Sequence, residues 1–191
     1  MNSYYSNFRQ SSDIVAKEIL GKILITKINN KTTSGIIVET ESYEGFDDPA
    51  SHGFIGKTER NKPIFEEGGI VYVYLIYGKF FLLNIVTSVK DYPSSVFIRA
   101  LEPVEGIDIM KERRKCNNIY NLTNGPAKLT TALGIDKSFN FTRLNMERIF
   151  IMDNSNKKHF EIVETTRIGI SKGKELLKRF YIKGNKWVSK K

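Results

Sequence analysis

The apolar residues of this chain fall into short runs that have the composition of β-strands. Ile70–Ile76 consists almost entirely of strong strand formers, and Phe80–Val86 is a second run of the same kind. Only Tyr77, Gly78 and Lys79 lie between the two runs. This spacing predicts a β-hairpin that presents an aromatic ring and a cation at its tip.

Further strands and helices follow from the apolar positions and the capping residues along the rest of the chain. Strands are predicted at Lys22–Ile28, Ser34–Tyr43, Ser95–Ala100, Ile149–Met152, Glu161–Ile170 and Phe180–Lys183. Helices are predicted over Ser11–Leu20, Val104–Lys115, Asn124–Leu133 and near Lys172–Leu177. Residues 44–63 remain a long loop with several glycines and prolines, and such a loop inside a compact domain is more often functional than not.

Length and composition indicate one globular domain that covers residues 1–191. The net charge of +9 favours a polyanionic partner such as nucleic acid, although a basic excess can also serve solubility alone. The single cysteine, Cys116, excludes a disulfide framework and the cysteine-rich metal and iron–sulfur sites. No apolar run approaches the roughly 20 residues of a membrane span, and the first residues lack a signal-peptide pattern. We therefore expect a cytoplasmic protein without cofactor or bound metal.

Candidate chemistry is concentrated between Ile36 and His52, where a buried strand runs into the long loop. If the strand continues, Glu39, Glu41 and Tyr43 share one face because they occupy alternate positions. A carboxylate, a phenol and an imidazole at a strand end are common parts of a catalytic cleft. A solvated strand edge with an acidic turn fits the same residues, and the spacing alone does not choose between the two glutamates.

Four residues outside this stretch each allow a structural and a functional interpretation. Tyr77 at the hairpin tip either folds back over its own sheet or inserts between bases. Asn84 inside an apolar strand is either a structural hydrogen-bonding group or a reader that lines a pocket. Arg99, which closes an apolar strand, pairs with a carboxylate or holds a phosphodiester. Lys128 follows the predicted helix start at residues 124–126, which is either a phosphate seat or an ordinary capped terminus.

Several short motifs occur in a collinear order that resembles one family closely. They are Leu20–Lys22, Val38–Tyr43, Asp48–His52, Arg60-Asn61, Tyr72–Gly78, Asn84, Ile98–Pro103, Asn124–Pro126, Leu129, Ala132-Leu133 and Phe180-Tyr181. The family is the alkyladenine (3-methyladenine) DNA glycosylases of the mammalian type, which are also widespread in bacteria. Any one motif is weak, whereas eight or so in the right order along nearly the whole chain are very specific.

The resemblance implies an α+β (mixed α/β) fold: a single compact domain with a curved, mostly antiparallel sheet, flanking helices and a β-hairpin that protrudes into DNA. It implies a monofunctional glycosylase of base excision repair, without AP lyase activity, that flips alkylated purines of the 3-methyladenine type and hydrolyses their N-glycosidic bond. The expected partner is double-stranded DNA that contains damaged purines, bound by a monomer without a membrane contact. In a bacterium the protein would be associated with the nucleoid.

The resemblance also assigns roles to individual residues of this sequence. Glu41 corresponds to the general base that activates the attacking water, and Arg99 to a residue that serves both this cluster and the backbone phosphate. The expected base pocket consists of Tyr43, His52 and Tyr74, which sandwich the flipped base, and Asn84, which screens purines at the pocket floor. The expected DNA contacts from the resemblance are Tyr77, which fills the gap in the duplex, and Arg99. Lys79 at the hairpin tip and Lys128 at the helix start are further expected DNA contacts, which follow from their positions and charge and not from the resemblance.

Departures from the family pattern affect the loops. Lys79 stands where the family usually has Met or His, Glu59 stands where Pro is usual, and residues 53–58 differ in composition. A catalytically silent, damage-reading or shape-reading DNA-binding protein is the alternative, but it would have no use for a base beside a flipped nucleotide. A small-molecule nucleoside hydrolase would need neither the charge nor the tyrosine at the tip. No motif of the helix–hairpin–helix glycosylases is found.

Overall fold

The computed structural model describes residues 4–156 and 159–190, which form an eight-stranded antiparallel sheet, curled like half a barrel, with helices packed against it. The strands are β1 (Ile23–Ile28), β2 (Lys31–Glu44), β3 (Val71–Ile76), β4 (Phe80–Val86), β5 (Ser94–Glu105), β6 (Ile149–Met152), β7 (Ile162–Thr165) and β8 (Arg179–Ile182). The α-helices are α1 (Ser12–Glu18), α2 (Ile107–Arg114) and α3 (Pro126–Leu133). Short 3-10 helices cover Lys62–Phe65, Ile119–Asn121 and Lys137–Phe139. The predicted α+β fold class is confirmed.

Strand β2 is the element around which the sheet is built. The strand order is β3-β4-β5-β2-β1-β6, and β8 pairs with both β2 and β7. On one edge, residues 31–36 of β2 pair with β1, and Glu39–Glu41 then pair with β8. The other edge pairs with β5. Because two strands occupy one edge of β2 in succession, β1 and β8 diverge and the sheet curls.

The pairing of β2 with β5 is irregular at the position of the predicted site residues. Ala100 pairs with Glu39 and Ile98 pairs with Thr40, so Arg99 is the extra residue of a β-bulge. Bulges bend a strand and redirect a side chain, and they are common next to active sites. Sequence analysis placed Arg99 at the end of a strand, whereas it lies inside the twelve-residue strand β5.

The hydrophobic core lies between the helices and the sheet. Val15 and Ile19 belong to α1 and its C-terminal cap, Leu129 and Leu133 belong to α3, and all four are fully buried in one cluster with the sheet residues. Burial of each aliphatic side chain contributes about 1.5–3 kcal/mol to the stability of the fold. Helix α3 begins at a proline and ends at Gly134, whose φ of +73° is the left-handed conformation that glycine adopts freely. The rigid core therefore supports the strands that carry the site.

Three predicted elements were wrong. The helix predicted from Val104 begins only at Ile107, because β5 continues through Glu105 to pair with β2. The strand predicted over Glu161–Ile170 is limited to Ile162–Thr165, where it pairs with β8. No helix forms near Lys172–Leu177 within the described residues, since Gly173 has a φ of +58°, which an α-helix does not accommodate.

Candidate active site

An open cleft of about 880 Å³ lies between the β3–β4 hairpin, the loop after β2, the segment after β7 and the start of α3. Most residues predicted for the site line this cleft: Tyr43, His52, Tyr74, Tyr77, Asn84, Arg99 and Lys128. Glu41 is fully buried directly behind the lining, and Lys79 lies on the hairpin tip outside it. The fold thus gathers side chains that are up to 85 positions apart in the sequence, from Tyr43 to Lys128.

Glu41 is held by three donors. Its Oε1 accepts the backbone N–H of Ile168 at 2.8 Å and lies 3.1 Å from Arg99 Nη1. Its Oε2 accepts the hydroxyl of Tyr43 at 2.9 Å. An ionised carboxylate has about four acceptor positions, so these contacts fix its orientation and leave room for one further donor. Arg99 and Tyr43 both line the cleft and both contact Glu41, so a single layer of side chains separates Glu41 from the cleft.

The environment of Glu41 changes its acidity. Burial raises the pKa of the Glu41 carboxyl above its ordinary value, and the charge of Arg99 and the hydrogen bonds from Ile168 and Tyr43 only partly oppose this. A carboxylate whose pKa lies closer to the working pH is a better general base than an ordinary glutamate. The site therefore has an oriented base with raised proton affinity.

Glu39 lies on the same strand but in a different environment. Its Oε1 accepts Arg99 Nε at 3.0 Å, Arg179 Nη1 at 2.9 Å and the Ser189 hydroxyl at 3.0 Å. Its Oε2 accepts the backbone N–H of Ser189 at 2.6 Å. These contacts tie β2 to β5, β8 and the C-terminal segment. Glu39 therefore acts as a structural anchor, and the geometry separates two glutamates that their spacing could not.

Three aromatic rings form one wall of the cleft. The His52 ring centroid lies 4.7 Å from that of Tyr74, and the Tyr72 and Tyr74 centroids are 5.2 Å apart. His52 Nδ1 is 3.0 Å from the Tyr72 hydroxyl, and Asn61 Nδ2 donates to the His52 carbonyl at 2.7 Å. Partial desolvation and the charge of Arg60 lower the pKa of His52, so its ring is neutral at physiological pH. The wall is thus an uncharged aromatic surface in a fixed position.

The contacts by which Arg167 clamps Tyr43 and Asp48 were not predicted from the sequence. The Arg167 guanidinium lies 4.6 Å from the Tyr43 ring centroid, and its Nη1 donates to the Ser42 carbonyl at 2.9 Å. Both of its terminal nitrogens bind Asp48, which lies in the loop that carries His52. Burial alone would raise the pKa of Asp48, but the hydrogen bonds and charge of Arg167 outweigh it and hold that pKa below its usual value.

The same segment supplies the backbone donor to Glu41, because Ile168 follows Arg167. Ile168 and Gly169 line the cleft, and Gly169 has a φ of +79°. A glycine inside an apparent strand is a known signal for a break or a close backbone approach, and Gly169 interrupts the run that was predicted to end at Ile170. Gly169 was therefore the sequence signal from which the departure of this segment from the sheet could have been predicted.

The floor and one end of the cleft come from β4 and α3. Asn84 is buried on β4, opposite Tyr72, and its Nδ2 donates to the Tyr72 carbonyl over a long 3.5 Å. Lys128 lies in the first turn of α3, and its Nζ donates to Asn124 Oδ1 at 2.8 Å. An amide and a cation thus face the cleft at well-separated positions.

The hairpin tip is exposed and has an uncommon backbone conformation. Tyr77 is 89% exposed and has a φ of +51°, and Gly78 follows with a φ of +64°. The Lys79 N–H closes the turn onto the Ile76 carbonyl at 3.1 Å. A left-handed conformation costs a bulky residue roughly 1–2 kcal/mol, so Tyr77 is retained at the tip against its backbone preference. The prediction of an aromatic ring and a cation at the tip is confirmed in its geometry.

The described part of the chain, residues 4–156 and 159–190, has neither a metal-binding cluster nor a membrane-spanning helix. There, no three His, Cys, Asp or Glu side chains are grouped to hold a metal ion. No helix of these residues is long and apolar enough to cross a membrane.

Comparison with known proteins gives matches along nearly the whole chain. The family model described as methylpurine-DNA glycosylase (MPG) matches residues 6–186. A protein from Clostridium novyi is 47% identical over 189 residues (93% of this chain, 92% of its own), and one from Clostridium beijerinckii is 45% identical over 196 residues (96% and 97%). A protein from Francisella tularensis subsp. tularensis is 40% identical over 194 residues, with full coverage of both chains. Each relative carries the name "Putative 3-methyladenine DNA glycosylase".

Proposed function

The chain belongs to the methylpurine-DNA glycosylase family, and we propose that it flips alkylated purines of the 3-methyladenine type out of duplex DNA and hydrolyses their N-glycosidic bond with a water that Glu41 activates. As a DNA glycosylase it is a DNA-repair hydrolase that acts on N-glycosyl bonds. The observation that carries the finer proposal is the placement of a buried, oriented glutamate immediately behind an aromatic-lined cleft.

The proposed reaction uses Glu41 in two ways. Breaking the bond between C1′ and the base nitrogen leaves the electron pair on the departing purine and develops positive charge on the sugar. The negative charge of Glu41 stabilises that charge, and its Oε2 accepts the proton of the water that attacks C1′. Arg99 and Ile168 hold Oε1, so the orientation of the carboxylate beside the cleft is fixed before the reaction. The products are the free purine and an abasic site.

The proposed base pocket lies between Tyr43, His52 and Tyr74. Stacking on tyrosine faces suits a purine alkylated on a ring nitrogen, because such a base is cationic and is attracted to the π-electrons. The neutral His52 adds no repulsive charge. Asn84 on the floor is placed to screen the edge of the base by hydrogen bonding, since its one long bond leaves capacity for a ligand.

Duplex binding is assigned to the hairpin and the basic groups around the cleft. Tyr77 would fill the gap that the flipped nucleotide leaves, which offsets part of the few kcal/mol that flipping costs. Lys79, Lys128 and Arg99 would contact phosphates, in keeping with the net charge of +9. We propose that the protein acts on DNA as a monomer, in the nucleoid of a bacterial cytoplasm.

The test is the release of free purine from duplex DNA treated with a methylating agent, with undamaged duplex as the control. We expect wild-type protein to release N-alkylated purine and to leave abasic sites. Binding to the methylated duplex without release of any alkylated purine would overturn the enzymatic mechanism and favour a silent damage-reading protein.

A further inference from the structure

A second exposed element lies at the mouth of the cleft besides the hairpin. In the loop after His52, Ile55 is 77% exposed and Phe54 is 45% exposed. Ile55 lines the cleft, as does Lys172 from the segment after β7, whose Nζ lies 5.9 Å from the Phe54 ring centroid. We refer to Phe54, Ile55 and Lys172 as the loop rim. Single apolar side chains on a surface are ordinary, but two adjacent ones at the mouth of a binding cleft indicate a contact.

The loop that carries the rim is braced from beneath. Asn61 Nδ2 donates to the carbonyls of His52 at 2.7 Å and Gly56 at 2.8 Å, and its Oδ1 accepts the N–H of Thr58 at 2.6 Å. One buried amide therefore fixes both ends of the short loop. Because its backbone is held, the loop presents Ile55 to solvent in a defined position and does not collapse over it.

Charge at the cleft mouth identifies the partner. Lys172 and Arg60 line the cleft together with Ile55. An apolar side chain with cations around it complements a surface of apolar sugars and base edges flanked by phosphates, which is what duplex DNA offers at its minor groove.

We propose that the loop rim is a second duplex-binding element: Ile55 packs on the sugars and base edges beside the flipped nucleotide, and Lys172 contacts a nearby phosphate. This inference rests on the proposed function, since it requires a nucleotide in the cleft. It deepens that function by assigning duplex contact to both the hairpin and the divergent loop at residues 53–58. An apolar contact removes Ile55 from water, whereas the lysine contact releases a counterion from the DNA. Only the contribution of Lys172 to the affinity should therefore weaken as the salt concentration rises.

The experiment measures the Kd for a duplex that carries a tetrahydrofuran abasic-site analogue, over a range of salt concentrations. We expect Ile55→Ser to raise the Kd about five- to tenfold without changing its salt dependence. Lys172→Gln is expected to reduce the slope of log K against log salt by about 0.9. The matched control is Met146→Ser, since Met146 is 56% exposed and lies outside the cleft lining, and its affinity should equal that of wild type.

Two results would overturn the loop rim. One is a duplex affinity of Ile55→Ser equal to that of Met146→Ser. The other is a loss of affinity in Ile55→Ser that disappears at high salt, as the loss of a phosphate contact would. Release of methylated purine by the wild-type protein is measured separately. If wild type releases purine but Ile55→Ser binds normally, only the loop rim fails. If wild type releases no purine, the proposed function itself fails.

Discussion

The hairpin tip and the glutamate cluster on β2 are built in opposite ways. Tyr77 is almost fully exposed and has a backbone conformation that its side chain disfavours. Glu39 and Glu41 are fully buried, and each accepts several hydrogen bonds from fixed groups. Stability therefore depends on the cluster and not on the tip. Under the proposed function, this difference would separate bond cleavage, beside the buried cluster, from recognition of the duplex by the exposed side chain at the tip.

The largest effect on stability should follow from Glu39→Gln. Arg179 then loses its carboxylate partner while it remains buried, and removal of one partner of a buried ion pair costs about 3–5 kcal/mol. Urea denaturation measures this change in the free energy of unfolding. The matched control is Glu161→Gln, whose exposed pair with Lys183 should contribute only about 0–1 kcal/mol. Equal stability of the two variants would contradict the structural role of Glu39.

Tyr77→Asn should lower the affinity for the duplex. Stacking contributes about 1–3 kcal/mol per base on truncation, so we expect the Kd for an abasic-analogue duplex to rise by roughly 5- to 150-fold. Fluorescence anisotropy of the labelled duplex measures this Kd. Tyr120→Asn removes another exposed tyrosine that lies outside the cleft lining, and it should bind as wild type does. If both variants bind normally, Tyr77 has no role in the duplex.

The pH dependence of excision should report Glu41. The general base must be ionised, so with an N-alkylated, already cationic purine the rate at saturating enzyme should rise with pH and then level off. Burial raises the pKa of Glu41, so the midpoint should lie above that of an ordinary glutamate, with about a tenfold loss per pH unit below it.

The control for this profile is Tyr77→Asn at saturating enzyme, which should have the same midpoint because the tip does not contact Glu41. A midpoint at or below the ordinary value for glutamate would show that burial does not control this group.

The smallest effect is a change of stability at the tip itself. The turn between β1 and β2 has φ values of +50° and +60° at Asn29 and Asn30, residues that tolerate this conformation. Tyr77→Asn should therefore stabilise the fold by up to about 1 kcal/mol, and Asn30→Tyr should destabilise it by a similar amount without altering DNA affinity. Thermal unfolding measures both. A loss of stability in Tyr77→Asn would mean that the ring packs on its own hairpin.

Local sequence patterns were sufficient for the hairpin, and they marked several residues of the cleft lining as candidates, whereas Tyr74 and the roles of the pocket residues came from the family resemblance. Strand formers on both sides of Tyr77-Gly78-Lys79 determined that element, because hairpin pairing is local. Glu39, Glu41 and Tyr43 share a face of β2 as their alternation predicted, since Arg99 contacts both glutamates and the Tyr43 hydroxyl donates to Glu41.

The remaining features depend on contacts between distant segments. The bulge that directs Arg99 exists only because β5 pairs with β2, and the clamp of Arg167 on Asp48 joins residues 119 positions apart. The same kind of contact overrode the helix predicted from Val104, where pairing with β2 outweighed local propensity. Spacing alone could not distinguish Glu39 from Glu41, since their environments differ through contacts with distant residues: Ser189 and Arg179 bind Glu39, and Ile168 binds Glu41.

One measurement tests the division between chemistry and recognition most directly: single-turnover release of methylated purine by Glu41→Gln, with binding of the same variant to the abasic-analogue duplex. Gln keeps the shape of Glu41 but accepts no proton, so we expect release to fall by about 10²- to 10⁴-fold while the duplex is bound with wild-type affinity. Release at the wild-type rate would contradict the assignment of the general base, and the catalytic role would then have to move away from Glu41.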